Sequence, residues 1–210
     1  MVAAFGCLPA HAPSDAEEED ILKRFPELPP RLDKRQQEIH DRIAAGPRGG
    51  VRGPLAYWLY SPELAERAQA LGEFLRYNSM FPPKLSEFMI LVVARHYDCQ
   101  YEWSAHVTIA RNAGIPDAVI DAIGTGREPV LDDPDHAVIY PFVVELMRNN
   151  DASDAAFEAF RARFGEKGIV ECAAMIGYYA IGAYTLNAAR FPPREGLAMP
   201  ARVTTEANHG

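Results

Sequence analysis

KLSEFMILVVARHYDCQYEWSAHVTIARNAGI, residues 84–115, decides the fold of this chain. Its first half, Lys84 to His96, contains FMILVVA, which leaves no polar face; such a segment reads as a deeply buried helix. The lone acid inside it is Glu87. A second helix is predicted from Asp98 or Cys99 to Asn112, closed by Gly114 at the C′ position. Cys99, Glu102 and His106 stand at i, i+3 and i+7 in that helix and are expected on one face.

Working outward, the same signals recur. RLDKRQQEIHDRIAA, from Arg31, is helix-like, and the Gly- and Pro-rich GPRGGVRGP breaks it. A short helix should follow Gly53-Pro54, and another should run from Ser61-Pro62 to about Asn78, with Ser as N-cap and Pro at N1. Ile115-Pro116-Asp117 opens a further helix. Three more are read over His136 to Asn149, Ser153 to Phe164 and Gly168 to Ala189. No stretch alternates with period two, so the fold class is all-α, a bundle of about eight helices. A faint internal repeat aligns Lys84-Leu85-Ser86-Glu87 plus FMILVVA with Gly168-Ile169-Val170-Glu171 plus CAAMIGYYA.

Residues 1–30 hold five Pro and the acidic cluster Asp15 to Asp20, which predicts an extended or flexible arm of the kind that wraps a neighbouring subunit. Residues 31–195 form the helical domain, and 196–210 are expected as a flexible tail. The chain is 48% hydrophobic and 24% charged, the balance of a single globular domain. Its net charge is −8 and its Lys and Arg are scattered, which argues against a nucleic-acid partner. No apolar run approaches the roughly 20 residues that span a bilayer, so no membrane partner is expected. Three widely spaced cysteines, Cys7, Cys99 and Cys172, argue against a disulfide framework and point to a reducing, cytoplasmic setting.

The chemistry resides in the second helix. A carboxylate at Glu102 can orient the imidazole at His106 and raise its basicity. Cys99, in the first turn, would meet free amides and the positive end of the helix dipole, which favour a thiolate. Glu87 in an apolar helix either holds its proton tightly or pairs with a cation, Arg76 or Arg95. His96, Cys99, Glu102 and His106 together match no common zinc spacing, so no metal site is assigned. Arg48 and Arg52 in the Gly-rich loop suit a substrate carboxylate, and Tyr57, Trp58 and Trp103 suit an apolar pocket wall.

Glu87, then Cys99, Glu102 and His106 resembles the carboxymuconolactone decarboxylase and alkylhydroperoxidase D superfamily. The resemblance extends over about residues 50–190, including GPLAYWLYSPELAERAQALGEFLRYNSMFPPKLSE, YEWSAHVTIARNAGI and IGYYAIGAYTLNA. It implies an alkylhydroperoxidase D-like helical bundle that assembles as a homotrimer or hexamer. In the peroxidase branch the pattern is Glu followed by C-x-x-C-x-x-x-H; here Glu102 stands in place of the second thiol. The decarboxylase branch carries an acidic residue four before the His, as Glu102 is before His106. The resemblance therefore implies a lyase without metal or organic cofactor. His106, Glu102, Glu87 and Cys99 would be its catalytic residues, acting on a small carboxylated or lactone-like molecule. The alternatives are a thiol peroxidase using Cys99 and a non-catalytic oligomer that binds a small ligand.

Overall fold

A computed structural model describes residues 23–203. Eight helices account for the architecture of these residues, and no strand occurs among them. They are α1 (Lys34–Ala45), α2 (Pro54–Trp58), α3 (Pro62–Tyr77), α4 (Pro83–His96), α5 (Gln100–Asn112), α6 (Asp117–Thr125), α7 (Pro134–Asn149) and α8 (Asp154–Ala189). The described residues form an all-α bundle.

Local chemistry sets most of the boundaries. α1 starts with a capping box in which the Asp33 side chain accepts from Gln36 N and the Gln36 side chain accepts from Asp33 N. Proline occupies the first turn of α2, α3, α4 and α7, where its missing N–H costs nothing. α7 begins two residues before the expected His136 because Asp133 accepts from the Asp135 and His136 amides and Pro134 fits the first turn. α6 closes on Gly126 in the left-handed region. α8 is broken at Gly165 (φ 66°, ψ −176°), which separates the two helices expected over 153–164 and 168–189.

α4 is the axis of the bundle. Every residue from Leu85 to Arg95 is buried, so the helix is enclosed on all sides, as its lack of a polar face predicts. α5, α7 and α8 pack around it, with α6 against its C-terminal half. α8 is long and apolar enough by length and composition to cross a bilayer, but half of its most apolar window is buried against the bundle. Its apolar character is that of a core helix.

Both ends of the described chain lie on the bundle. The backbone oxygens of Phe25, Pro26 and Leu28 accept from the Tyr57 and Tyr60 hydroxyls, and Arg24 N donates to Ala189 O. The described part of the N-terminal arm thus packs on its own chain; residues 1–22, with the acidic cluster and Cys7, lie outside the described residues. Of the segment expected as a flexible tail, Met199 is buried, Pro200 O accepts from Arg95 and Val203 N donates to Thr125 O. Residues 204–210 lie outside the description.

Candidate active site

α4 and α5 are joined by a short turn, with Tyr97 and a left-handed Asp98 between them, and this brings Glu87 against His106. His106 Nδ1 lies 2.6 Å from Glu87 Oε2, and both side chains are about 95% buried. An N–H donated to a carboxylate at this distance fixes the imidazole tautomer and leaves Nε2 to face the cavity side. That Nε2 stands 3.5 Å from Glu102 Oε2, so the ring lies between two carboxylates. Arg76 on α3 approaches the other Glu87 oxygen at 3.9 Å. Of the two cations anticipated for Glu87, Arg76 is the one present; Arg95 points to the far end of the bundle, onto Gly124 O and Pro200 O.

Burial pushes the Glu102 carboxyl above the usual carboxylate range, against the opposing pull of His106, Arg76 and Arg48. Space for it comes from Gly182 on α8, where an added Cβ would sit 2.8 Å from Glu102 Oε1. Tyr179 on α8 meets the His106 ring edge-on at 5.4 Å. Burial pushes the Tyr179 hydroxyl well above its ordinary value and that of Tyr178 to about 12, so both are proton-bearing.

A cavity of about 120 Å³ opens onto this group. Glu102, His106 and the two tyrosines form one side. Arg48, Arg52, Arg76 and Arg194 line it together with Glu102, and Arg76 also approaches Glu87 behind the imidazole. Arg48 reaches the Tyr178 hydroxyl at 3.4 Å, and its buried Nε lacks a hydrogen-bond partner. Such a cavity attracts anions and presents donors to them.

The expected site residues divide. Glu87, Glu102, His106, Arg48 and Arg52 come together. Cys99 does not: it is the N-cap of α5, with φ −84° and ψ 97°, so the helical wheel that places Glu102 and His106 does not extend to it. Its side chain packs with Tyr57, Ala183, Leu186 and Ala189, outside the cavity lining. Burial and the neighbouring Glu102 charge push its thiol up to about 12; the Glu102 and Tyr101 amides pull the expected way but are outweighed. Tyr57 lies about 200° around α2 from the cavity-lining Leu55 and packs on Phe25 and Phe191. Trp58 stands behind the lining, edge-on to Tyr178, with its N–H donated to Thr185 Oγ1. Trp103 is core, packed on Gly124.

Tyr178, Tyr179 and Arg194 join the site without a signal in the sequence. The tyrosines belong to an apolar helix in which nothing local separates packing from lining, and Arg194 lies in the Pro-rich stretch after α8. The repeat partner of Glu87 plays a different part, since Glu171 Oε2 accepts from Met80 N and so anchors the turn before α4. His96 lines another cavity, so the four residues of metal-binding type do not converge.

Residues 62–137 match the carboxymuconolactone decarboxylase family. A peroxidase-related protein from Silicibacter sp. TM1040 superposes with a TM-score of 0.66 at 18% identity, covering 84% of this chain and 93% of that one. The alkylhydroperoxidase AhpD core of a peroxidase-related protein from Ralstonia eutropha JMP134 gives 0.63 at 17%, covering 83% and 93%. These likenesses show that the chain has the alkylhydroperoxidase D-like helical fold. The fold is also similar to that of the debrominase Bmp8, solved as a cysteine-to-alanine variant with 2,3,4-tribromopyrrole, at a TM-score of 0.55 and 14% identity over 77% and 84% of the chains. No curated protein matches the sequence.

Proposed function

We propose that the protein is a cofactor-independent lyase of the carboxymuconolactone decarboxylase type, acting on a small carboxylated or lactone-like compound. The observation that carries this reading is His106, held between Glu87 and Glu102 at the edge of a cavity lined by four arginines. Arg48 and Arg52 bind the anionic substrate. As the carbon–carboxylate bond breaks, its electron pair passes into the adjoining carbonyl system, and the cationic lining stabilises the resulting enolate. Glu102, which keeps its proton more tightly than an ordinary carboxyl, delivers that proton to carbon and regains one from solvent water entering the open cavity, while His106, its ring held by Glu87, accepts from Glu102 at Nε2 and so orients the acid.

A thiol peroxidase reading needs a thiolate that meets peroxide, and the buried, cavity-remote Cys99 is poorly suited to that role. The reading carries a cytoplasmic location and self-association as a trimer or hexamer, for which the exposed Leu64, Leu71, Phe74 and Tyr77 on α3 supply an apolar row. Carboxylated lactones and keto acids incubated with the protein in D2O test the chemistry. Carbon dioxide release with deuterium in the product, lost in His106→Ala, is expected. Fast, reversible peroxide oxidation of Cys99 with no turnover of any carboxylated compound would overturn the reading.

A further inference from the structure

A second cavity, of about 210 Å³, lies where the C-terminal ends of α4 and α6 meet α7. It shares no lining residue with the first. Arg95, His96, Arg127, Arg148 and Arg202 line it, and among the described residues no Asp or Glu does. Two of these cations have structural duties. Arg95 donates to Gly124 O and Pro200 O, Arg202 donates to Arg95 O, and both contact Asp98. Even so, the buried Arg95 keeps its Nε without a partner. Arg148 pairs with no carboxylate among the described residues, and the Arg127 side chain donates to Thr125 Oγ1 rather than to an acid. The His96 ring registers the surplus: burial, then the Arg148 and Arg202 charges, lower its basicity, and Asp98 offsets this only in part.

The rest of the lining is apolar. Tyr140, Val144 and Met147 share one face of α7, and Ile123 faces them from α6. Besides Asp98, which is taken up by Arg95 and Arg202, Glu128 and Glu145 line an adjoining depression that shares Gly126, Tyr140, Val144 and Arg148 with this cavity. A dry cavity of about 150 Å³ accommodates a benzene ring, so this volume suits one ring with a charged substituent.

We propose that this cavity is a second binding site, for an organic anion whose apolar body is about one ring in size, its charge held by Arg148 with Arg127 and its body by Met147, Val144 and Tyr140. The proposal is independent of the reaction assigned to the first cavity.

Met147 supplies the readout, because it lines this cavity and no methionine lines the other. In protein labelled with ¹³C at methionine methyls, with the Met147 signal assigned through Met147→Leu, benzoate is titrated. A saturable shift of the Met147 resonance is expected, with Kd raised about tenfold in Arg148→Ala and unchanged in Arg52→Ala. Benzyl alcohol and inorganic phosphate should each bind at least about tenfold more weakly, the first lacking the charge and the second the apolar body. Any of the following overturns the proposal: no saturable shift, an unchanged Kd in Arg148→Ala, loss of the shift in Arg52→Ala, or benzyl alcohol or phosphate equalling benzoate.

Discussion

Glu87 Oε2 and His106 Nδ1 approach to 2.6 Å although they are 19 residues apart and lie on separate helices. The pair is buried, and its outer member, Nε2, meets Glu102 where the cavity begins. One carboxylate is therefore enclosed behind the imidazole, with Arg76 at its other oxygen, and one stands in front of it among the arginines. This order lets the rear acid hold the ring while the front acid meets the substrate.

Removing the rear acid should be costly to the fold. Glu87→Ala leaves His106 and Arg76 without their shared counter-charge, and breaking a buried pair in this way costs about 3–5 kcal/mol. Urea unfolding is expected to show a loss of that size, with a smaller one in Glu87→Gln, whose amide oxygen still accepts from Nδ1. Equal stability of Glu87→Ala and the parent would contradict the buried pairing.

Glu102 predicts a pH dependence of definite sign. Burial raises its carboxyl above the ordinary 4.5, so between that value and its folded value the native state holds a proton that the unfolded chain has released. Stability contributed by this group is fully present below 4.5 and declines as pH rises through the folded value. Glu102→Gln cannot titrate, so its stability should gain on that of the parent as pH rises above the ordinary carboxyl value of 4.5. Urea midpoints that run parallel over this range would show that the carboxyl is not held up by burial.

Cys99 should be chemically quiet. With its thiol up at about 12 and its side chain wholly buried, alkylation of the native protein near neutral pH should leave it unmodified in the intact mass. Cys99→Ala should keep turnover, whereas Cys99→Ser places a hydroxyl among Ala183, Leu186 and Ala189 and should cost about 1–3 kcal/mol. A large loss of turnover in Cys99→Ala would place the thiol back in the reaction.

Gly182→Ala should separate activity from folding. Its Cβ would reach 2.8 Å from Glu102 Oε1, so the carboxylate must turn away while the helix itself accepts alanine well. Turnover is expected to fall about tenfold or more, with a change in Tm of only a few degrees. A parallel collapse of both would mean that the residue serves packing rather than the placing of Glu102.

The helices themselves were legible in the chain. Pro at N1 and Gly114 after α5 are local signals that act within a few residues, and the structure adds others of the same local kind in Asp33, Ser153, Gly126 and Gly165. The all-round apolar α4 announced its own central position, and the i, i+4 step from Glu102 to His106 followed from helix geometry alone. Glu87 and His106 were both singled out through the resemblance, but their contact depends on how α4 and α5 cross. Only the tertiary structure decided which aromatics line the cavity. Tyr178 and Tyr179 do, while Tyr57, Trp58 and Trp103 are packed behind or away from it. It also decided the fate of Cys99. The periodicity that places Glu102 stops at the N-cap, and whether the dipole or desolvation governs a thiol depends on how much protein closes over it. Local backbone preferences are properties of a few neighbouring residues, whereas burial is a property of what the rest of the chain brings against them.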